Sequence, residues 1–315
     1  MREKMRPGSG FRKMLIYIAA VSLTACSGNR GGSSQEGNER EITVSVAPLA
    51  YFAKAIGGDS VKVRTLLPAG TDPETFQPGM DAMRALNRGG VLAVTGVLPF
   101  ESEMTEKLKA NNADLQLADA GKGIELIYGT HMHAHAEHGE AHEAHEAGDA
   151  HEHGEGEPDP HIWGSVKNAR IIAGNLHTTL CGLYPELRPY FTSRYEELDN
   201  QLDSIDRAYA VRLEMHPAFV IWHPSLSYFA RDYGLEQISF NIENKETSPL
   251  RLREATDHAL TERPAAFFVP QGLNPERVRA IATSLSLEPT EVNFMSEEWL
   301  SQMNLIVDHL TADQR

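Results

Sequence analysis

Imidazole nitrogens beside carboxylate oxygens are the side-chain chemistry of divalent transition metals, Zn²⁺ above all. This 315-residue chain has fourteen histidines. Eight of them, His131, His133, His135, His138, His142, His145, His151 and His153, fall in the single run HMHAHAEHGEAHEAHEAGDAHEH at residues 131–153. The run offers imidazoles at many spacings among glutamates, which suits exchangeable binding of Zn²⁺, Cu²⁺ or Ni²⁺ more than one fixed geometry. Its apolar content is Met132 and several alanines, too little to bury a fold of its own. It is therefore expected to act as a mobile, weak-affinity metal collector, with a merely solubilising loop as the blander reading. A definite site has to come from histidines embedded in structured sequence.

Six histidines remain. His177, His258 and His309 lie in amphipathic helical patterns among polar neighbours and are expected at ordinary surface or boundary positions. His216 precedes Pro217 and belongs to a turn. His161 sits in EPDPHIWGS, where prolines stiffen the approach and a helix follows, so its side chain is held at an element boundary. His223 closes the apolar run FVIWH, which places it at the carboxyl edge of a strand, where open parallel sheets bind ligands. Either alone is more often structural than a ligand. Together, on either side of a long helix, they mark a candidate site.

The elements that position them follow an alternating pattern. Residues 42–47, 61–67 and 91–96 are predicted strands, rich in β-branched side chains and bounded by Gly or Pro. Between and after them, YFAKAIGG, DAMRALNRGG and ESEMTEKLKANN are predicted helices, and this alternation predicts βαβ units in a parallel sheet. After the histidine run come two long helical stretches. The second, residues 185–215, would extend over about 40 Å at 1.5 Å per residue and is predicted to bridge two lobes. Alternation then resumes from a strand at 219–223. The expected fold is α/β, with two parallel-sheet lobes joined by a long rigid helix and a metal cleft between them. The expected domains are an N-terminal lobe at 41–184 carrying a loop at 131–157, the connecting helix at 185–215, and a C-terminal lobe at 216–315.

Ahead of the first lobe, basic residues precede the apolar run from Met14 to Ala25, and Leu23-Thr24-Ala25-Cys26 follows the pattern of a lipoprotein cleavage site. Residues 1–25 are expected to be a signal peptide, Cys26 the lipidated first residue of the mature chain, and residues 26–40 a flexible tether rich in Gly, Ser and charge. Twelve apolar residues are too few to span a bilayer core of about 30 Å. The formal charge is −15, falling to −19 once residues 1–25, with five basic and one acidic side chain, are removed. Phosphate backbones would repel such a chain, so nucleic acid is excluded as a partner. Cys181 is then the sole remaining thiol of the two cysteines and is expected to be a small buried hydrophobe.

Several segments in order, LLPAGTDPETFQP (66–78), the histidine-rich loop, DPHIWGSVKNA (159–169), the long helix, FVIWHPSLSYFARDYGLEQI (219–238) and VPQGLNPERV (269–278), resemble the metal-binding solute-binding proteins of ABC transporters over about residues 41–310. The histidine-rich loop resembles the zinc branch more than the manganese branch. The resemblance implies metal ligation by His161 and His223. It implies a further ligand in the segment Pro73-Glu74-Thr75-Phe76-Gln77-Pro78, where Glu74 stands in place of the family's usual histidine. A fourth ligand is open among water, the neutral amides Gln271 and Asn274, and a histidine of the run.

What the resemblance implies for function is a lipid-anchored, monomeric Zn²⁺ receptor, with Mn²⁺ as the alternative ion. It would sit on the periplasmic or extracytoplasmic face of the cell envelope and deliver to an ABC permease. No Walker A lysine loop is present, so the ATPase would be another chain. Competing readings are a manganese or iron receptor of the same family, a zinc hydrolase using a His₂Glu set, and a metal-storage or adhesin lipoprotein. The hydrolase lacks HExxH and a clear general base, so no enzyme is expected.

Overall fold

A computed structural model describes residues 40–87, 90–112, 114–128, 156–215, 218–240, 248–273 and 275–312. Cys26, the eight histidines of the run, His216 and Asn274 lie outside the described residues. Residues 39–315 cluster as one compact unit.

The N-terminal lobe alternates β1 (Glu41–Val44), α1 (Ala47–Gly57), β2 (Lys62–Thr65), α2 (Met80–Asn87), β3 (Val91–Val94), α3 (Pro99–Asn111) and β4 (Gln116–Asp119). Its sheet is all parallel in the order β2-β1-β3-β4. Every residue of β3, VLAV, is buried, as expected for a central parallel strand covered on both faces. The C-terminal lobe repeats the scheme with β5 (Ala218–Ile221), α6 (Ser227–Tyr233), β6 (Glu236–Ser239), α7 (Pro249–Glu262), β7 (Phe267–Pro270), α8 (Pro275–Leu285), β8 (Pro289–Val292) and α9 (Trp299–Leu310). Its order, β6-β5-β7-β8, is the same arrangement again.

Between the lobes run α4 (Val166–Leu183) and α5 (Arg188–Leu213), the latter preceded by a 3₁₀ turn at Pro185–Leu187. With 26 residues, α5 is about 39 Å long. It buries Phe191, Leu198, Leu202, Tyr209 and Leu213, a stripe at alternating spacings of seven and four that keeps one face inward. On a half-buried flank, Arg170 of α4 forks onto Asp199 at 2.7 and 2.9 Å and reaches Asp203 at 2.9 Å.

The predicted bridging helix is thus present, but it does not stand free. One hydrophobic core runs from Ile42 and Val44 through Leu176, Leu198 and Leu202 to Phe219, Ile221, Met303 and Ile306, so both lobes share it. A smaller core, with Val220, Phe240, Phe267 and Val269, fills the other face of the C-terminal sheet. The edge strands β4 and β8 were not foreseen. QLAD and PTEV carry polar side chains at exposed or half-buried positions and lack the apolar run by which a buried strand is recognised.

Candidate metal centre

Three distant segments meet at the carboxyl side of the two sheets. The first is the turn after β2. Asp72 accepts the Glu74 backbone N–H at 2.9 Å and the Thr75 hydroxyl at 3.2 Å, an Asx turn. Phe76 anchors the segment edge-on to Phe100 at 5.1 Å. Glu74 is left directed inward with its side chain 21% exposed.

The second segment is DPHIWG. His161 opens a short 3₁₀ turn, Ile162–Gly164. Asp159 Oδ1 lies 2.9 Å from both the backbone nitrogen and Nδ1 of His161. A carboxylate only accepts, so Nδ1 carries the proton and Nε2 is the free donor atom. Ile162 and Trp163 are buried behind the ring, and the two tryptophan indoles cross-stitch the lobes: Trp163 donates to the Phe294 carbonyl at 2.9 Å and Trp299 to the Trp163 carbonyl at 2.7 Å. Gly164 is required because a Cβ there would sit 2.8 Å from the Ser225 carbonyl oxygen. That close approach brings the segment against the third one.

The third segment follows β5. His223 stands two residues beyond Ile221, and its carbonyl accepts the Ser225 N–H at 2.8 Å and hydroxyl at 3.1 Å. Its Nε2 lies 3.1 Å from Glu74 Oε1, and His161 Nε2 lies 3.6 Å from the same oxygen. The imidazole centroids are 5.1 Å apart, and the donor atoms of all three residues fall within 4.8 Å of one another. Tetrahedral Zn²⁺ with bonds of about 2.0–2.1 Å sets its donors about 3.3 Å apart, a value the two observed separations bracket. The arrangement can hold one divalent ion by two imidazoles and one carboxylate with a position left over.

The pocket stabilises positive charge, which a proton and a metal ion compete to supply. Burial pushes the Glu74 carboxyl up, but the His223 hydrogen bond and the charges of His223 and His161 outweigh it and hold Glu74 below the usual range. Burial pushes His161 down, yet the hydrogen bond and charge of Asp159, with Glu74 and Asp72 beyond, hold its imidazole above the ordinary value. Asp159, also pushed up by burial, is held low by His161.

Of the residues singled out from sequence, Glu74, His161 and His223 are brought together. Gln271 occupies an exposed turn after β7, the strand beside β5. His177 stacks on Tyr195 at 4.6 Å, and exposed His309 contacts the Leu305 carbonyl. Cys181 is buried, 3.2 Å from His177 Nε2. Asp159 was missed, although its position two residues before a histidine, across a proline, is the available signal. Tyr228 donates to the Asp159 carbonyl at 2.8 Å, Asp159 N–H donates to the Ile127 carbonyl at 2.8 Å, and Tyr128 pairs with Pro158. The two ends of the segment that contains the histidine run therefore meet beside Asp159.

The family described as "Zinc-uptake complex component A periplasmic" (ZnuA) matches residues 42–312. The chain is 27% identical over 284 residues to the zinc-binding lipoprotein AdcA of Streptococcus pneumoniae (strain ATCC BAA-255 / R6), covering 87% of this chain and 52% of that protein. It thus spans about half the length of the curated relatives it matches. A crystal structure of ZnuA superposes with a TM-score of 0.73 at 27% identity, covering 87% of this chain and 99% of the other. A ZnuA deletion mutant with zinc bound gives the same TM-score, 0.73, at 27% identity, with 87% and 97% covered. A Mn-bound periplasmic metal-binding protein from candidatus liberibacter asiaticus, 18% identical, has a TM-score of 0.70 over 87% of this chain and 99% of that one, a likeness of fold alone.

Proposed function

The chain belongs to the zinc-uptake complex component A family, and we propose that it is an extracytoplasmic receptor that captures Zn²⁺ between its lobes for delivery to an ABC permease driven by a separate ATPase. The observation that carries this reading is the convergence of Glu74, His161 and His223 on one donor pocket at zinc-like separations. In this reading each residue supplies one ligand and a water or a neutral amide completes the tetrahedron. Asp159 orients His161 by fixing which ring nitrogen faces the ion.

The role is binding, not catalysis. Asp159, the further carboxylate in contact with His161, is buried and sets its Oδ1 against Nδ1 of that histidine, on the side of the ring away from the donor pocket, a place from which it orients the ligand. Release follows when the permease favours a conformation in which the three segments no longer converge, since a partner shifts an equilibrium by its differential affinity for the two states. The lobe boundaries at 41–184 and 216–315, the connecting segment at 185–215, the signal at 1–25, the tether at 26–40 and lipid attachment at Cys26 belong to the same proposal. No helix among the described residues is long and apolar enough to cross a membrane.

The test is calorimetric titration of residues 41–315 with Zn²⁺ and Mn²⁺, alongside the single variants Glu74→Ala, His161→Ala and His223→Ala. One tight Zn²⁺ site, weaker for Mn²⁺ and lost in both histidine variants, is expected. Several sites of equal affinity that survive those substitutions would leave a metal store instead of a receptor.

A further inference from the structure

A second group of metal-binding side chains lies at the opposite end of the C-terminal sheet. Glu236 is the first residue of β6 and pairs in register with Ala218, the first residue of β5. His223 lies beyond the last residue of β5. A four-residue strand therefore separates the two places by about 13 Å at 3.3 Å per residue, and no ligand is shared. From the far end of β6 the chain returns through α7, whose closing turns carry His258 and Glu262 four residues apart on one face. His258 Nε2 lies 2.6 Å from Glu236 Oε1, and donor atoms of Glu236, His258 and Glu262 fall within 4.8 Å of one another.

The setting suits a cation. Backbone carbonyls at a helix C-terminus concentrate partial negative charge, which disfavours a carboxylate there and favours a positive ion. The last turn of α7 contains no basic residue and ends on Glu262, while the cap residue Arg263 that follows is exposed. An imidazole and two carboxylates are a donor set that Zn²⁺ accepts. The three side chains come from a strand and a helix, so their Cα positions are fixed by regular structure. Around a tetrahedral ion the 2.6 Å separation of His258 and Glu236 opens to about 3.3 Å, within the reach of rotamer adjustment in side chains that are each 41% exposed.

We propose that Glu236, His258 and Glu262 form a second divalent-metal site, completed by water and weaker than the site in the cleft. Its three donors are half-buried instead of enclosed, so the ion exchanges readily with solution. The cleft site fills first and the second site fills at higher free Zn²⁺.

Anomalous diffraction at the zinc edge, from crystals of the full chain equilibrated with excess Zn²⁺, locates the ion directly. The expected result is a peak about 2.0–2.2 Å from the three donor atoms, beside a separate peak in the cleft. In His258→Ala, and in Glu262→Gln, which preserves side-chain shape, the second peak disappears and the cleft peak remains. Equilibrium dialysis of the same proteins at saturating Zn²⁺ should then show one ion fewer per chain in each variant. A cleft peak with no density at Glu236, or an unchanged ion count in both variants, overturns the proposal without touching the cleft site.

Discussion

In the proposed ligand set, Glu74 is the residue at which ion preference would be decided. A carboxylate oxygen is a harder donor than an imidazole nitrogen, so Glu74→His should move selectivity toward Zn²⁺ over Mn²⁺ with little change in folding. Glu74→Ala should weaken Zn²⁺ markedly, and competitive binding with circular dichroism as the control for folding checks both. Asp159→Ala removes the group that orients His161, and a loss of about 10–100-fold in Zn²⁺ affinity is expected with the ligands intact. The pH response has a definite sign. The imidazole of His161 is raised above 6.5, so its contribution to the ion-free fold is fully present below 6.5 and is lost as pH rises through the folded value. Glu74 is lowered from 4.5, so its contribution is present above 4.5 and is lost as pH falls through its folded value. The ion-free cluster is thus most stabilising between these values, while Zn²⁺ has to displace the His161 proton and binds less well as pH falls. The melting-temperature difference between zinc-loaded and ion-free protein should therefore shrink on acidification from pH 8 to pH 5.5. A constant difference would contradict the assignment of His161. His161 and His223 are legible in the sequence because each stands at an element boundary. Asp159 and the Glu236–His258 contact are not: the first acts through a single ring nitrogen, and the second joins a strand and a helix whose pairing no local pattern encodes.

At the scale of elements, the alternation of strands and helices is visible in the chain because the central strands β1, β3, β5 and β7 are largely apolar. The edge strands β4 and β8 are hidden because pairing on one side permits polar side chains such as those of QLAD and PTEV. The long helix is announced by its periodicity, but its burial in a core common to both lobes is not, since that depends on partners distant in sequence. Leu202 of α5 is fully buried in that core. Leu202→Ala should cost about 2–5 kcal/mol of stability, read from denaturant unfolding as a single transition for both lobes. Two separate transitions would show that the shared core does not couple them. Gly164→Ala tests the junction between DPHIWG and the segment after His223. The added methyl meets the Ser225 carbonyl, so a destabilisation of about 1–3 kcal/mol and a weakened Zn²⁺ site are expected together.

For the molecule as a whole, the pairing of Tyr128 with Pro158 brings together, beside Asp159, the two ends of the stretch that carries the histidine run. At about 3.4 Å per residue no histidine of the run lies more than about 50 Å from that junction, whatever its conformation. A single ion confined to a hemisphere of that radius is present at an effective concentration in the millimolar range. In the proposed receptor, an ion taken up by the run would meet the cleft at a local concentration independent of how scarce zinc is in the surrounding medium, and the run would then set how quickly the cleft is filled without changing its equilibrium affinity. Deleting residues 131–157 should accordingly leave one tight site with its dissociation constant intact, lower the number of weakly held ions, and slow loading when zinc is limiting, as stopped-flow uptake and equilibrium titration of the same variant would separate.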